Sequence, residues 1–246
     1  MKQLIEIIKE NYSANNIEDI EKNDPMYKAI EYLYMNLWNK EMLLPLIIAN
    51  SLVSYQLSST GESYWQEFTR EAGKFEFKKL RDIYMFFIDF LPKSEGNTKD
   101  VRTKIERLKK LDTFLSDFFF KQKFYYKHMS KLRTDIAKAM MQLENAKTVI
   151  FSVKMFWYGA RIRFTEFISF PKEIPIPIDT KLQTIFKNIE KTDYHTIDSF
   201  YQNISDTLDI APLHLYSIIW LNHKFIIGEV VEWEIEEIQD TGFEEA

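Results

Sequence analysis

The sequence contains no cysteine, and this absence removes several classes of protein at once. Without thiols the chain cannot form disulfide bonds, an iron–sulfur cluster or a thiolate zinc site. Its four histidines are scattered, and no pair has the HxxxH spacing of a helical metal site, so we expect no metal and no other cofactor. The chemistry of the protein should therefore come from its own side chains.

Glycine and proline are also scarce, with 6 and 7 residues in 246, and alternating β-branched patterns are rare. These features predict an all-α fold. The predicted helices are 2–11, 25–38, 41–57, 61–71, 76–91, 98–111, 112–122, 124–143, 146–168, 180–189, 195–208 and 212–223. Asp24, directly before Pro25, indicates a capped start for the helix 25–38.

Long apolar runs are missing as well. The segment LLPLIIANSLVSY is short and contains Pro45 and Asn50, so we expect no membrane span. The amino terminus MKQLIEIIKENYS alternates charged and apolar residues, unlike a signal peptide. Together these observations predict an intracellular protein, in the cytoplasm or nucleoid.

The length of 246 residues suits a single module with two helical lobes. The polar loop KSEGNTKD at 93–100 is the clearest internal boundary. It predicts lobes of 1–92 (plus 195–246) and 98–194. We also expect a cleft between the lobes and a monomeric protein.

Charge is distributed unevenly. Residues 229–246 form an acidic tail with eight acids and no Lys or Arg, so the formal net charge of −5 for the whole chain becomes +3 for residues 1–228. Within that body, 118–134 and 145–165 carry Lys and Arg among aromatic residues and contain no acid. Such segments suit phosphate contacts and base stacking, although a solvated basic helix face explains each one alone equally well.

Lys147 opens an apolar helix after the turn QLENA, with Asn145 as a plausible N-cap, which gives a helix–hairpin–helix order. Asp179 follows 32 residues later, at the end of the proline-spaced segment EIPIPID. The positive end of a helix favours a neutral, nucleophilic amine, and a nearby carboxylate stabilises a developing cation. A solvated lysine and a helix-capping aspartate are the ordinary alternatives.

Five separated segments, in the same order, resemble the archaeal 8-oxoguanine DNA glycosylases (AGOG type) of the helix–hairpin–helix glycosylase superfamily. These segments are DPMYKAI, NSLVSYQLSSTGESYWQEF, AKTVIFSVKMFWYGARI, EIPIPID and PLHLYSIIW, between about residues 24 and 221.

The resemblance implies a bifunctional enzyme that excises 8-oxoguanine and then cleaves the strand as a lyase. It implies Lys147 as the Schiff-base nucleophile and Asp179 as its catalytic partner. It further implies a substrate pocket with Trp65, Phe151 and Trp220 as aromatic walls, and with Lys154 near the extruded base or near Asp179. The implied partner is damaged DNA, duplex or single-stranded.

Two residues depart from the family pattern. Met26 stands where the family commonly has glutamine, and Tyr216 stands where it commonly has aspartate. Both family residues help to recognise the polar edge of the lesion, so these changes leave open the same chemistry on a different damaged base. A second alternative is a non-enzymatic helical protein that binds DNA or another protein.

Overall fold

The structure, a computed structural model, describes residues 1–12, 16–189 and 196–241, with side chains described as far as 230. All regular structure in these ranges is helical, which confirms the predicted all-α class. None of the helices in the described part of the chain is long and apolar enough to cross a membrane. The helices are α1 (Lys2–Asn11), α2 (Ile17–Lys22), α3 (Pro25–Asn36), α4 (Leu43–Val53), α5 (Gly61–Ala72), α6 (Leu80–Phe90), α7 (Val101–Lys109), α8 (Asp112–Phe119), α9 (Gln122–Lys127), α10 (Met129–Met140), α11 (Lys147–Phe164), α12 (Thr180–Ile189), α13 (Ile197–Leu208) and α14 (Pro212–Thr241).

Several helices are a few residues shorter than predicted, α2 was not predicted, and two predicted helices differ more. The predicted helix 124–143 is two helices, α9 and α10, because the backbone of His128 leaves the helical region at φ −134° and ψ 59°. The predicted helix 212–223 continues to Thr241 as α14, across a kink where Asn222 has φ −110° and ψ 15°. The acidic tail is therefore helical as far as Thr241, and residues 242–246 lie outside the described part of the chain.

The packing divides the chain into two compact units, one of residues 1–21 and 170–246 (unit 1) and one of residues 22–169 (unit 2). This division differs from the predicted lobes, since the loop 93–100 lies within unit 2. The carboxylate of Glu67 on α5 holds that loop by accepting hydrogen bonds from Ser94 Oγ and from the backbone N–H groups of Glu95 and Gly96, at 2.8–3.0 Å. This polar loop is thus held against a helix, with Ser94, Gly96 and Asn97 buried. The other predicted boundary, at 194–195, lies outside the described residues.

The centre of unit 2 is the crossing of α4 and α11. Every residue of α4 is buried, and so are twelve of the 18 residues of α11, all between Val149 and Arg161. Gly159 makes this close approach possible, because a Cβ at that position would lie 2.9 Å from Leu44 Cδ2 and closer still to Ile47 Cδ1. The helix that begins at Lys147 is therefore anchored along its length by the core of unit 2.

Unit 1 has its own apolar core, built from α1, α12, α13 and α14. Leu4 and Ile8 of α1, Leu182 of α12 and Ile219 of α14 are completely buried there. Burial of aliphatic side chains of this size contributes about 1.5–3 kcal/mol each. This core fixes the start of α12, where Asp179 lies, against the residues of α14.

Candidate active site

A tight hairpin connects α10 to α11. The α10 helix ends at Met140, and Met141 adopts the left-handed conformation with φ 53°. The backbone N–H of Gln142 then donates to the carbonyl of Ala137 at 2.9 Å, closing the end of the helix. Glycine is the usual residue in the left-handed conformation, so the methionine at position 141 is less favourable there. The helix–hairpin–helix order predicted from the sequence is present.

Lys147 is the first residue of α11 and its side chain is exposed. The predicted N-cap was wrong by one residue, because Ala146, and not Asn145, occupies the cap position and offers no side-chain acceptor. The amide of Ala146 instead donates to Leu143 O within the turn at 3.0 Å. Lys147 thus lies at the positive end of an 18-residue helix, in reach of solvent.

Lys154 lies seven residues further along α11 and is buried. Its Nζ is 3.4 Å from Oδ2 of Asp24, and the Tyr158 hydroxyl donates to the same oxygen at 2.8 Å. The other oxygen of Asp24 accepts the backbone N–H of Met26 at 2.8 Å and caps α3. The sequence indicated Asp24 as a cap before Pro25, but its pairing with residues 130 and more positions away carries no local signal.

Trp65 of α5 is completely buried, and its ring meets that of Phe151 edge-on with centroids 6.2 Å apart. Its indole N–H is buried and has no hydrogen-bond partner among the described residues. Met26 reaches the beginning of the same helix, where its Cε lies next to Gly61. Unit 2 therefore brings Trp65 close to Phe151, and Met26 close to the Lys154–Asp24 pair.

Asp179 is at the start of α12 in unit 1. One carboxylate oxygen accepts the backbone N–H of Leu182 at 3.0 Å, so the residue caps the helix as expected. The other oxygen accepts the hydroxyl of Tyr216 at 3.0 Å. This second bond was not foreseen from the sequence, where Tyr216 was connected only with recognition of the base. Both oxygens of Asp179 are thus oriented by donors of unit 1.

Trp220 follows Tyr216 by one helical turn on α14 and is partly exposed. The ammonium nitrogen of Lys181 lies 3.7 Å from the ring centroid of Trp220, in a cation–π contact. Partial burial, together with the positive charge of Lys181, lowers the pKa of the nearby His223. The positive charge of Lys181 thus lies directly beside the ring of Trp220.

His214 of PLHL lies buried in unit 1, where both ring nitrogens are used. Its Nε2 accepts the backbone N–H of Phe170 at 3.2 Å, so Nδ1 carries the proton toward Glu21 Oε1 at 2.8 Å. This arrangement is typical of a structural histidine. Across the described ranges, no group of three or more His, Cys, Asp or Glu side chains is placed to hold a metal ion.

Comparison with known proteins decides the family. The family model described as "AGOG: N-glycosylase/DNA lyase" matches residues 5–245. An N-glycosylase/DNA lyase of Methanococcus maripaludis is 38% identical over 81% of this chain and 78% of its own length. Another, of Thermococcus kodakarensis, is 40% identical over 81% of this chain and 75% of its own length.

The chain belongs to the AGOG family of N-glycosylase/DNA lyases. A DNA-repair enzyme with glycosylase and lyase activity, predicted from the ordered motifs, is thereby confirmed. A solved structure, an 8-oxoguanine DNA glycosylase of Pyrobaculum aerophilum in complex with 8-oxoguanosine, has the same fold. It matches with a TM-score of 0.73 at 20% identity, over 91% of this chain and 87% of that one.

The predicted site residues of this AGOG-family protein divide between the two units. Unit 2 contains Met26, Trp65 and the three α11 residues Lys147, Phe151 and Lys154, while unit 1 contains Asp179, Tyr216 and Trp220. Within each unit the predicted residues are linked by short contacts: Trp65 with Phe151, and Asp179 with Tyr216. The roles of the individual residues stay predictions.

Proposed function

We propose that this protein excises 8-oxoguanine from DNA through a Schiff base on Lys147 and then nicks the strand by β-elimination. The observation that carries the proposal is the position of Lys147, an exposed amine in the first turn of α11 at the end of a tight hairpin. Attack on the sugar requires the lone pair of the neutral lysine amine.

The chemistry follows from that lone pair. The Lys147 amine attacks C1′ of the damaged nucleotide, the N-glycosidic bond breaks, and the base leaves with the bonding electrons and takes up a proton. The sugar ring opens to an imine with Lys147. Loss of a C2′ proton then expels the 3′-phosphate, which breaks the strand. Asp179 stabilises the positive charge that develops on the sugar, and its two oriented oxygens support this role.

We assign binding of the extruded base to the aromatic residues. Enzymes that act on a base must extrude it from the helix and hold it by stacking and hydrogen bonds. The partly exposed rings of Phe151 and Trp220 supply stacking surfaces, and the completely buried Trp65 packs edge-on behind Phe151. The buried indole N–H of Trp65 has no acceptor among the described residues. We assign a carbonyl of the base as its partner, and 8-oxoguanine has carbonyls at C6 and C8. Lys154 contributes to the site indirectly, through its contact with the carboxylate of Asp24.

Two residues favour a damaged base other than 8-oxoguanine as the alternative substrate. Met26 has no polar atom for the lesion edge, and the Tyr216 hydroxyl is already engaged with Asp179. The same sugar chemistry on another damaged purine is therefore the alternative. Family membership, in contrast, argues against the non-enzymatic binding protein. We further propose a monomeric, intracellular protein acting on duplex or single-stranded DNA without a cofactor.

Borohydride trapping on DNA tests the nucleophile. A duplex carrying 8-oxoguanine should yield a covalent protein–DNA adduct with the native protein and none with Lys147→Gln. Lys138→Gln, at the last turn of α10, is a matched control that removes one lysine near the hairpin without touching α11. An undiminished adduct in Lys147→Gln would exclude Lys147 as the nucleophile. A panel of duplexes with different damaged bases, repeated with Met26→Gln, distinguishes the two substrates.

A further inference from the structure

The beginning of α11 lacks the usual device that stabilises a helix start. The first N–H groups of a helix have no partner within it, and a Ser, Thr, Asp or Asn at the cap normally accepts one of them. Here the cap is Ala146, whose side chain has no acceptor. The conformation of the first turn, which bears Lys147, therefore depends on contacts made from elsewhere in unit 2.

Arg107 of α7 supplies those contacts. Its Nη2 donates to Gln142 Oε1 in the hairpin at 2.9 Å and to Thr148 Oγ1 in the first turn of α11 at 3.2 Å. The hydroxyl of Thr148 in turn donates to Gln142 Oε1 at 3.1 Å. These three groups form a closed triangle that joins both ends of the hairpin, and Thr148 is the immediate neighbour of Lys147.

The guanidinium is itself held in place. It lies 5.1 Å from the ring centroid of Tyr55, and its Nε is buried without a partner among the described residues. Partial burial lowers the pKa of Arg107 from its ordinary value. A cation at a helix N-terminus is also opposed by the helix dipole. The protein thus keeps a partly desolvated positive charge at a position where it is unfavourable for stability.

We propose that Arg107 is a positioning residue for Lys147, fixing the first turn of α11 through Thr148 and Gln142. This inference rests on the proposed function, in which Lys147 is the nucleophile. Reaction at C1′ needs the amine within a narrow range of distance and direction, and small displacements reduce the rate strongly. Arg107 cannot cap the backbone N–H groups, because a guanidinium only donates, but its bonds to the side chains of Gln142 and Thr148 hold the hairpin against the first turn of the helix.

The test compares Arg107→Met, Arg107→Lys, Thr148→Val and the double variant Arg107→Met/Thr148→Val. Arg102→Met is the matched control, since Arg102 is exposed on the same helix and the substitution removes the same charge. The first measurement is the single-turnover β-elimination rate on a duplex with a pre-formed abasic site, which depends on the amine and not on the lesion. The second is the affinity for a duplex with a tetrahydrofuran analogue, which cannot react.

We expect Arg107→Met to lower the elimination rate by between about 10- and 100-fold with little change in affinity. Thr148→Val should lower it in the same direction, and the double variant should be no slower than the slower single variant, because both remove one shared interaction. Arg107→Lys should retain an intermediate rate, and Arg102→Met should match the native protein. Amide hydrogen exchange at Val149 and Ile150, the first amides of α11 that donate a hydrogen bond (to Ala146 O), should accelerate in the two single variants and not in Arg102→Met.

Two results would overturn the inference. An unchanged rate in both Arg107→Met and Thr148→Val would exclude positioning, and a loss of affinity equal to the loss of rate would make Arg107 a DNA contact. Failure of the proposed function gives a different result: the Lys147→Gln variant would then still be trapped on the abasic duplex by borohydride. Hydrogen exchange tests the contact between Arg107 and α11 in either case.

Discussion

Replacement of Tyr216 by phenylalanine removes one hydroxyl and tests the carboxylate half of the mechanism. The hydroxyl donates to Asp179 Oδ2 at 3.0 Å, and only 7% of Tyr216 is exposed. The ring can stay in place in the variant, so the main change is an oxygen of Asp179 that has lost its donor. Asp179 keeps its bond to the Leu182 amide and remains at the start of α12.

The size of the effect follows from the charge of the acceptor. A hydrogen bond to a charged group contributes about 1.5–3 kcal/mol, and the lower value applies here because Asp179 is partly exposed. If the bond holds the carboxylate in the orientation that stabilises the cationic sugar, its loss raises the barrier by about 1.5 kcal/mol, or about ten-fold in rate. The stability of the protein should fall by a similar amount.

Single-turnover base release and urea denaturation measure the two effects separately. Tyr201→Phe is the matched control, because Tyr201 is also buried in unit 1 and its hydroxyl donates at 2.7 Å to the carbonyl of Leu182 on α12. Both variants should lose stability, whereas only Tyr216→Phe should lose rate. If the two variants release base equally fast, the hydroxyl of Tyr216 has no part in the action of Asp179.

Three further predictions concern the groups that support the site. Lys154→Met should destabilise the protein by about 3 kcal/mol, since it leaves Asp24 charged and buried, and urea denaturation should show that adding Asp24→Asn recovers part of the loss. Gly159→Ala should cost about 1–3 kcal/mol through overpacking against Ile47, seen as a lower thermal midpoint, and an unchanged midpoint would contradict the close crossing of α4 and α11. Burial raises the pKa of Tyr126 to about 12, which means that the folded state favours the neutral hydroxyl. The contribution of Tyr126 to the free energy of unfolding should be complete below the ordinary tyrosine pKa of 10.0 and should be lost as the pH rises toward 12. Tyr126→Phe should reduce that alkaline loss in denaturation measured across this pH range, and an identical loss would refute the assignment.

Much of the molecule could be predicted from local sequence. The scarcity of glycine and proline indicated the all-α fold, and Asp24 before Pro25 marked the start of α3. These features are local because backbone conformation and capping depend on neighbours within a few residues. Ordered motifs such as AKTVIFSVKMFWYGARI and EIPIPID indicated the family, since each combines several residues at fixed spacing.

Other features depend on contacts between distant residues. The loop 93–100 looks like a boundary because it is polar, yet Glu67 binds it within unit 2. Asn145 is a better cap by composition than Ala146, but the hairpin places Ala146 there. For the cap, the local preference is about 1 kcal/mol, which tertiary contacts easily exceed.

The sequence by itself determined the helical class, the family and the candidate nucleophile and carboxylate, Lys147 and Asp179, because these depend on composition and on motifs along the chain. Only the tertiary structure decided what surrounds them. Tyr216 orients Asp179 across 37 positions, and Arg107 reaches Thr148 beside Lys147 across 41. A hydrogen bond between side chains so far apart exists only after the helices have packed, and no local pattern in the sequence records it.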